Sequence, residues 1–467
     1  MGLQIYNTLT RMKEAFVSQI PGKANVYVCG PTVYGYIHIG NARPMIVFDV
    51  VRSYLENQNY EVNYVVNFTD VDDKLIRKAE EMGTTVPEVA EMFIQAYYED
   101  LDGLNIPRAT ANPRVTDSME TIIDFIKDLE SKGYAYASGG DVFFRTKKFP
   151  DYGKLSGQNL SELQFGIRID VDERKENPED FVLWKAAKPG EIHWSSPWGE
   201  GRPGWHIECS AMSRELLGDT LDIHGGGQDL QFPHHECEIA QSEAATGKPL
   251  AKYWMHNGYI NIDGEKMSKS LGNGILVKDL RTEYKCEAIR YFMLSTHYRN
   301  PLNFSTEIMA QAERSVERIA NAAGNLRHRL KAATDGSGEV TPEWGAKLRD
   351  IRAVFHAKMQ DDFNTPDAIT AMFEWVNEVN SLLQQPIVYR ADLEAAQKLF
   401  DEMNSILRIA KEEEAELLDN DIEALIAERV EARKMKNWAR ADAIRDLLDA
   451  QGILLEDTPQ GMRWRRK

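Results

Sequence analysis

Cysteine is scarce in this chain: the four present, Cys29, Cys209, Cys237 and Cys286, are too few and too scattered for a disulfide framework. Long apolar runs are missing too. No stretch approaches the roughly eighteen consecutive apolar residues that a spanning helix requires, so no membrane partner is expected. The opening MGLQIYNTLTRMKEAF lacks the apolar run of a secretion signal, and Tyr6 stands where a myristoylation signal needs Ser or Thr. A reducing cytoplasm is therefore the expected location. Positive charge is in deficit, with 55 Lys and Arg against 73 Asp and Glu and a net charge of -18. That argues against a general nucleic-acid binder but leaves room for a local basic patch. No period of about 20 to 50 residues repeats, which rejects a solenoid.

What is present bounds the fold. A chain of 467 residues with 43% hydrophobic content has enough for about three domains with real cores. Residues 25–30, NVYVCG, read as a buried strand closed by Gly-Pro. YIHIGN at 36–41 opens a helix, IVFDVVRSYLENQ from 46 carries helical periodicity, and EVNYVVNF from 61 reads as a second strand. Strand, helix, strand in that order predicts an α/β fold with a parallel sheet of Rossmann type. Between about 112 and 203 the pattern breaks into a helix from Met119, a short strand DVFFR and the polar stretch VDERKENPED, which reads as an insertion. The α/β signals resume with WHIECSAM, LDIHGGG and a helix from Pro233. After about 305 the chain is helical and charged, with a joint at ATDGSGEVTPEW, 333–344. FNTPDAITAMFEWVNEVNSLL predicts a helix with Thr365 as cap and Pro366 at the first helical position. The acidic run KEEEAELLDND then separates a last module.

Three stretches carry chemistry. In FPHHECEIA, 232–240, helical spacing puts His234 and Glu238 about 40° apart on one face, with Cys237 about 60° to the other side and His235 and Glu236 pointing elsewhere. Imidazole, carboxylate and thiolate all suit zinc, yet a His/Glu pair on a helix is also a common surface hydrogen bond, and this segment alone leaves both open. In HIGN, Gly40 at a helix start lets a flat group lie against the backbone while exposed amides, the helix dipole and His38 face phosphate. In EKMSKSLGN, 265–273, Lys266 and Lys269 either close over a triphosphate or belong to an ordinary exposed loop. Residues 429–467 run against the overall charge, with ten Lys and Arg against six Asp and Glu and with Trp438 and Trp464 interleaved. This suits phosphate attraction with base stacking as well as a solvated charged helix.

HIGN after a first strand and KMSKS after the second half of the sheet resemble, in that order and separation, the signature pair of class I aminoacyl-tRNA synthetases. Within that class the chain is similar to the cysteinyl-tRNA synthetase family. The resemblance rests on VCGPTVYGYIHIGNAR, NFTDVDDK, GRPGWHIECSAM, DIHGGGQDLQFPHHECEIAQ, KMSKSLGN and the ending EDTPQGMRWRR, and so runs from the first strand to the last residues. It implies ATP-dependent activation of L-cysteine to cysteinyl-adenylate and transfer to tRNA(Cys) by a monomer.

The resemblance also implies one zinc per chain on Cys29, Cys209, His234 and Glu238, and Mg2+ with ATP. The two thiolates are expected at strand ends, meeting the i, i+4 pair at the C-terminal edge of the sheet. The carboxylate contact is expected to be the weak one, leaving room for the substrate thiolate. His38 and Asn41 would stabilise the reacting α-phosphate, and Lys266 and Lys269 the departing pyrophosphate. Gly40, His224, Gly227, Asp229 and Lys269 would bind ATP, Thr69 and Trp205 would line the cysteine pocket, and Trp438, Arg463, Trp464 and Arg465 would meet tRNA. Glycines after a strand could instead only make a turn, and Trp205 could be simple core. Two positions depart from the family: Cys237 replaces an Asn, with a bearing that permits ligation, and Asn41 stands where many class I enzymes carry a second histidine. The implied order is a first Rossmann half (1–111), a connective insertion (112–203), a second Rossmann half (204–260), a KMSKS loop and stem-contact region (261–315), a helical bundle (316–410) and an anticodon-binding module (411–467). A paralogous ligase that joins cysteine to an amino sugar in mycothiol synthesis is the nearest rival, and the long C-terminal region argues against it. A non-catalytic RNA-binding paralogue is the other, against which stand the intact HIGN and KMSKS.

Overall fold

The computed structural model describes residues 2–157, 172–262, 264–266, 274–331, 333, 338–411, 420–450, 453–458 and 461–466. The chain divides into two compact units, one formed by 1–315, 353–370 and 405–409, the other by 316–352, 371–404 and 410–467.

The first unit opens with a hairpin, β1 (Gln4–Asn7) and β2 (Met12–Ala15), before the strand β3 (Lys23–Val28). Helix α1 (Ile39–Asn57) and strand β4 (Glu61–Val66) complete a crossover in which β3 and β4 pair in parallel, Val26 opposite Tyr64. The C-terminal halves of both strands are buried, as a sheet covered on both faces requires. Asp72 caps α2 (Asp73–Met82), its carboxylate accepting from the backbone N–H groups of Lys74 and Leu75 at 2.7 and 2.9 Å, and Gly83 ends that helix at φ 65°. Helix α3 (Val86–Gly103) follows.

The stretch expected to be an insertion carries α4 (Met119–Ser131) and its own sheet of five strands: β5 (Ala135–Ser138), β6 (Asp141–Phe144), β7 (Phe181–Ala186), β8 (Trp194–Ser196) and β9 (Gly199–Pro203). Their order is β5-β6-β7-β9-β8 and every pairing is antiparallel. The chain then returns to the parallel sheet through α5 (Trp205–Leu217), β10 (Leu221–Gly227), α6 (Glu236–Thr246) and β11 (Ala251–Asn257). The order β11-β10-β3-β4 puts β10 and β3 at the centre, with the crossover through α1 leading from β3 to one edge and that through α6 from β10 to the other. Such a reversal opens a crevice at the C-terminal ends of the strands.

Beyond the sheet come β12 (Ile260–Ile262), β13 (Glu265–Lys266), α7 (Val277–Glu283), α8 (Cys286–Leu294) and β14 (Leu302–Phe304). Backbone bonds tie this region to the start of α1: Ile39 N–H donates to the Ile275 carbonyl at 2.8 Å and Val277 N–H to the Ile37 carbonyl at 3.0 Å. Deeper in, Arg290 of α8 donates to Asp49 of α1 at 2.7 Å with both side chains buried.

Helices dominate the remainder: α9 (Thr306–Lys331), α10 (Pro342–Gln360), α11 (Thr365–Leu383), α12 (Arg390–Leu407), α13 (Asn420–Lys434) and α14 (Trp438–Ala450). The cap expected of Thr365 belongs to Asn364, whose Oδ1 accepts from Asp367 N–H; the Thr365 hydroxyl donates instead to the Leu294 carbonyl at 2.8 Å. In the second unit Trp344 and Trp375 donate their indole N–H groups to the carbonyls of Asp392 and Ala396, which satisfies the polar end of each buried ring. A closing hairpin, β15 (Ile453–Thr458) and β16 (Gly461–Arg466), packs with α13 and α14 around Ile426, Ile444, Leu448 and Ile453.

Candidate active site

The crevice at the end of β3 and β10 holds a cavity of about 650 Å³. Its wall is contributed by residues at and just beyond the ends of those strands and by the starts of α1 and α5: Cys29, His38, Gly40, Asn41, Trp205, Gly227 and Asp229. His38 precedes the first turn of α1, where the Ile275 carbonyl accepts from Ile39 N–H and the His38 carbonyl from Asn41 N–H, each at 2.8 Å. The Asn41 side chain closes back on this turn, its Oδ1 accepting from His38 N–H at 3.1 Å, which turns its amide donors outward. The His38 Nδ1 is buried with no protein partner, and burial lowers the pKa of the ring. A neutral imidazole at the N-terminal end of α1, where the helix dipole is positive, can donate to an anionic group.

Behind the crevice wall, to which Cys29 alone of them belongs, four donors converge. Cys29 follows β3, Cys209 lies on α5, and His234 and Glu238 flank the start of α6. Their donor atoms all lie within 4.8 Å of one another. The Cys29 and Cys209 sulfurs are 3.7 Å apart, too far for a disulfide. Two sulfurs bound to one tetrahedral zinc at about 2.3 Å each stand about 3.8 Å apart, so the donor set and its spacing fit that ion. The i, i+4 relation holds, with His234 Nε2 at 2.9 Å from Glu238 Oε1. The Cys29 thiol donates toward Cys209 and draws the Cys209 pKa down to about 6, while burial raises that of Cys29. Cys209 departs from expectation: it sits within a helix rather than at a strand end.

His235 corrects the helical-wheel reading. Its Nε2 lies 3.3 Å from the Cys29 sulfur and its Nδ1 2.8 Å from His256 Nε2, so it faces the cluster instead of pointing elsewhere. The cause is local. His235 is itself helical, at φ -67° and ψ -32°, and stands three residues before Glu238, about 60° from it on the wheel, so it reaches the same face as that carboxylate; the break lies earlier, at Phe232, extended at φ -140° and ψ 132°. Glu236 does turn away, accepting from the backbone N–H groups of Leu155 and Ser156. Cys237 also faces away, 3.3 Å from the Tyr152 hydroxyl, and burial pushes its thiol up. His224, expected at the nucleotide, is fully buried and absent from the cavity wall. Its Nε2 lies 2.7 Å from the second Glu238 oxygen, Oε2.

The family models and relatives agree on one assignment. The model "tRNA synthetases class I (C) catalytic domain" matches residues 15–314, the DALR domain 354–411, and the "Cysteinyl-tRNA ligase anticodon binding domain" 415–465. The cysteine–tRNA ligase of Anoxybacillus flavithermus is 56% identical over 466 residues, covering 100% of both chains. That of Geobacillus thermodenitrificans is 57% identical over 467 residues, covering 99% of each. The chain belongs to the cysteine–tRNA ligase family. The fold agrees: Mycobacterium tuberculosis methionyl-tRNA synthetase, with methionyl-adenylate, aligns at TM-score 0.58 and 15% identity over 83% of this chain and 90% of that one. The Agrobacterium radiobacter LeuRS aligns at TM-score 0.61 and 12% identity over 84% and 85%.

Other positions of this class I synthetase fall as follows. Trp205 is 44% exposed, so it is not simple core, and its ring centroid stands 4.3 Å from that of His234. Thr69 is buried and donates to Glu208, whose carboxyl pKa burial raises well above its ordinary range. Gly225–Gly227 end strand β10 itself rather than forming a turn, and a Cβ on Gly225 would lie 2.1 Å from the Phe48 ring. Lys266 ends β13, and Lys269 lies outside the described residues. Trp438 is 58% exposed at the start of α14, Trp464 packs on the small core of its module, and Arg463 donates to Asn325. Arg465 pairs through its backbone with Leu454, its side chain outside the description. His206, whose Nδ1 is 3.0 Å from that of His234, and His256 escaped the sequence reading. Their signal was a histidine beside each motif, in GWHIECS and in the MHN that ends β11. Among the described residues no helix is long and apolar enough to cross a membrane.

Proposed function

We propose that this chain activates L-cysteine with ATP to cysteinyl-adenylate and transfers the cysteinyl group to tRNA(Cys). The observation that carries the reading is the convergence of Cys29, Cys209, His234 and Glu238, reached through Cys29 from a cavity bordered by the first turn of α1. These four residues would hold zinc, which when bound offers a soft Lewis acid to a thiolate and little to an alcohol. An apolar pocket alone separates close analogues by only about 1 to 3 kcal/mol, so serine would otherwise intrude. Trp205 forms the side wall against which the amino acid packs, and Thr69 braces the site from behind through Glu208.

ATP, with Mg2+, lies along the wall formed by Gly40, Gly227 and Asp229. The positive end of the α1 dipole faces the α-phosphate, and His38 and the Asn41 side-chain amide donate toward it as charge develops there. Lys266 and Lys269 neutralise the departing pyrophosphate. Trp438, Arg463, Trp464 and Arg465 belong to the module that meets tRNA, and the cytoplasm is the site of action. The test is a charging assay with cysteine, serine, ATP and tRNA. Formation of cysteinyl-tRNA(Cys) with serine rejected is expected, and cysteine-dependent ATP consumption that leaves tRNA uncharged would overturn the assignment.

A further inference from the structure

His224 has no part in the function just proposed, yet it is among the most confined side chains in the molecule. Its ring stacks on Trp254 at 4.6 Å and 20°, and Tyr27 meets it edge-on at 5.4 Å and 71°. It stands on β10 immediately before Gly225, where contact with Phe48 leaves no space even for a methyl group, so the strand has little freedom to shift. A ring stacked on one face, met by a second aromatic ring and rooted in such a strand presents Nε2 in one direction, and that direction is Glu238 Oε2 at 2.7 Å. The other carboxylate oxygen, Oε1, faces the cluster, 2.9 Å from His234 Nε2 and 3.3 Å from the Cys29 sulfur. The carboxylate is thus divided: one oxygen turned to the donors, the other turned away into a hydrogen bond.

We infer that His224 is a positioning residue that keeps Glu238 monodentate toward the metal, so that a coordination position stays open for the thiolate of the substrate. This rests on the cluster being the zinc site. Carboxylates bind cations through one oxygen or two, and outer hydrogen bonds to a ligand govern its orientation. With the Nε2 donor gone, Oε2 is released to turn inward and occupy the position the substrate needs. A competing arrangement exists, because the donor atoms of Cys29, His224, His235 and Glu238 also lie within 4.8 Å of one another and His224 could itself be a ligand. The two arrangements differ in the sign of one measurement.

That measurement is zinc X-ray absorption on the full-length chain without cysteine, for the native protein, His224→Phe and His224→Gln, with zinc content and calorimetric cysteine binding in parallel. His224→Phe is expected to keep its zinc, to gain one nitrogen or oxygen neighbour, and to bind cysteine about ten-fold or more weakly. Glutamine can donate from near the Nε2 position, so His224→Gln is expected to keep the native neighbour count and affinity. A light neighbour lost in His224→Phe would make His224 a ligand and overturn the inference. So would zinc loss in that variant, an unchanged count and affinity, or equal weakening in both variants, which would reduce the role to packing. A native chain without zinc would remove the metal reading itself, a failure seen before any substitution is compared.

Discussion

Among single residues, the three cysteines near the crevice divide by what faces them. Cys29 and Cys209 look at each other across 3.7 Å, whereas Cys237, on the same helix as Glu238, looks at Tyr152. The variant Cys237→Asn is therefore expected to keep one zinc per chain and nearly native cysteine activation. Its cost should be a stability loss of about 1 kcal/mol from exchanging one buried polar contact for another. Zinc analysis with thermal unfolding checks this, and loss of the metal would return Cys237 to the ligand set. The four donors were legible in the sequence because the resemblance carried each of them and the i, i+4 spacing survives from His234 to Glu238. His235 was not, since measured from His234 it lies about 100° away, whereas measured from Glu238, three residues on, it lies only about 60° away and so reaches the Cys29 sulfur. His224 was read toward the nucleotide because a strand-end histidine before a glycine run gives no sign of which face it takes.

At the level of elements, α1 and β10 approach so closely that a glycine is required between them. Substituting Gly225→Ala would drive a methyl group into the Phe48 ring, and such overpacking is expected to cost about 1 to 3 kcal/mol. Adding Phe48→Leu should recover part of that loss in denaturant unfolding; strict additivity of the two would mean that the contact is not the cause. The βαβ order and the parallel sheet could be read from periodicity. Helix α5 was harder, because in WHIECSAM the residues Trp205, Ile207, Cys209 and Ala211 alternate as a strand would. Seven of its residues in a row are buried, from Ile207 to Ser213, so the period that distinguishes a helix never shows. The start of α11 differed by one residue, the limit to which capping patterns locate a helix end.

For the whole molecule, the closing module has its own small core of Ile426, Ile444, Leu448 and Ile453, while the crevice belongs wholly to the first unit. A chain ending near residue 410 is therefore expected to retain cysteine-dependent ATP–pyrophosphate exchange and to charge tRNA poorly. Undiminished charging by that truncation would remove the tRNA-binding role from the module. The basic, tryptophan-bearing composition of this module was visible against the acidic whole. Which tryptophan stays exposed was not: Trp438 and Trp464 look alike in sequence, and only packing of the closing hairpin separates them.

The pairing of β3 with β10 has a kinetic side. Val28 lies opposite Gly225 in the central pair of the sheet, so the chain must close a loop of nearly two hundred residues, the insertion included, before that pair can form. The entropy of closing so long a loop grows only logarithmically, and doubling its length costs about 0.6 kcal/mol. Lengthening or trimming the insertion is thus nearly neutral at equilibrium. The rate is another matter, because non-local pairing slows folding. The donor cluster, which needs Cys29 beside Cys209 and Glu238, comes together only when that slow closure is complete. On a ribosome the first half of the sheet would wait, half-made, until the second half had been synthesised.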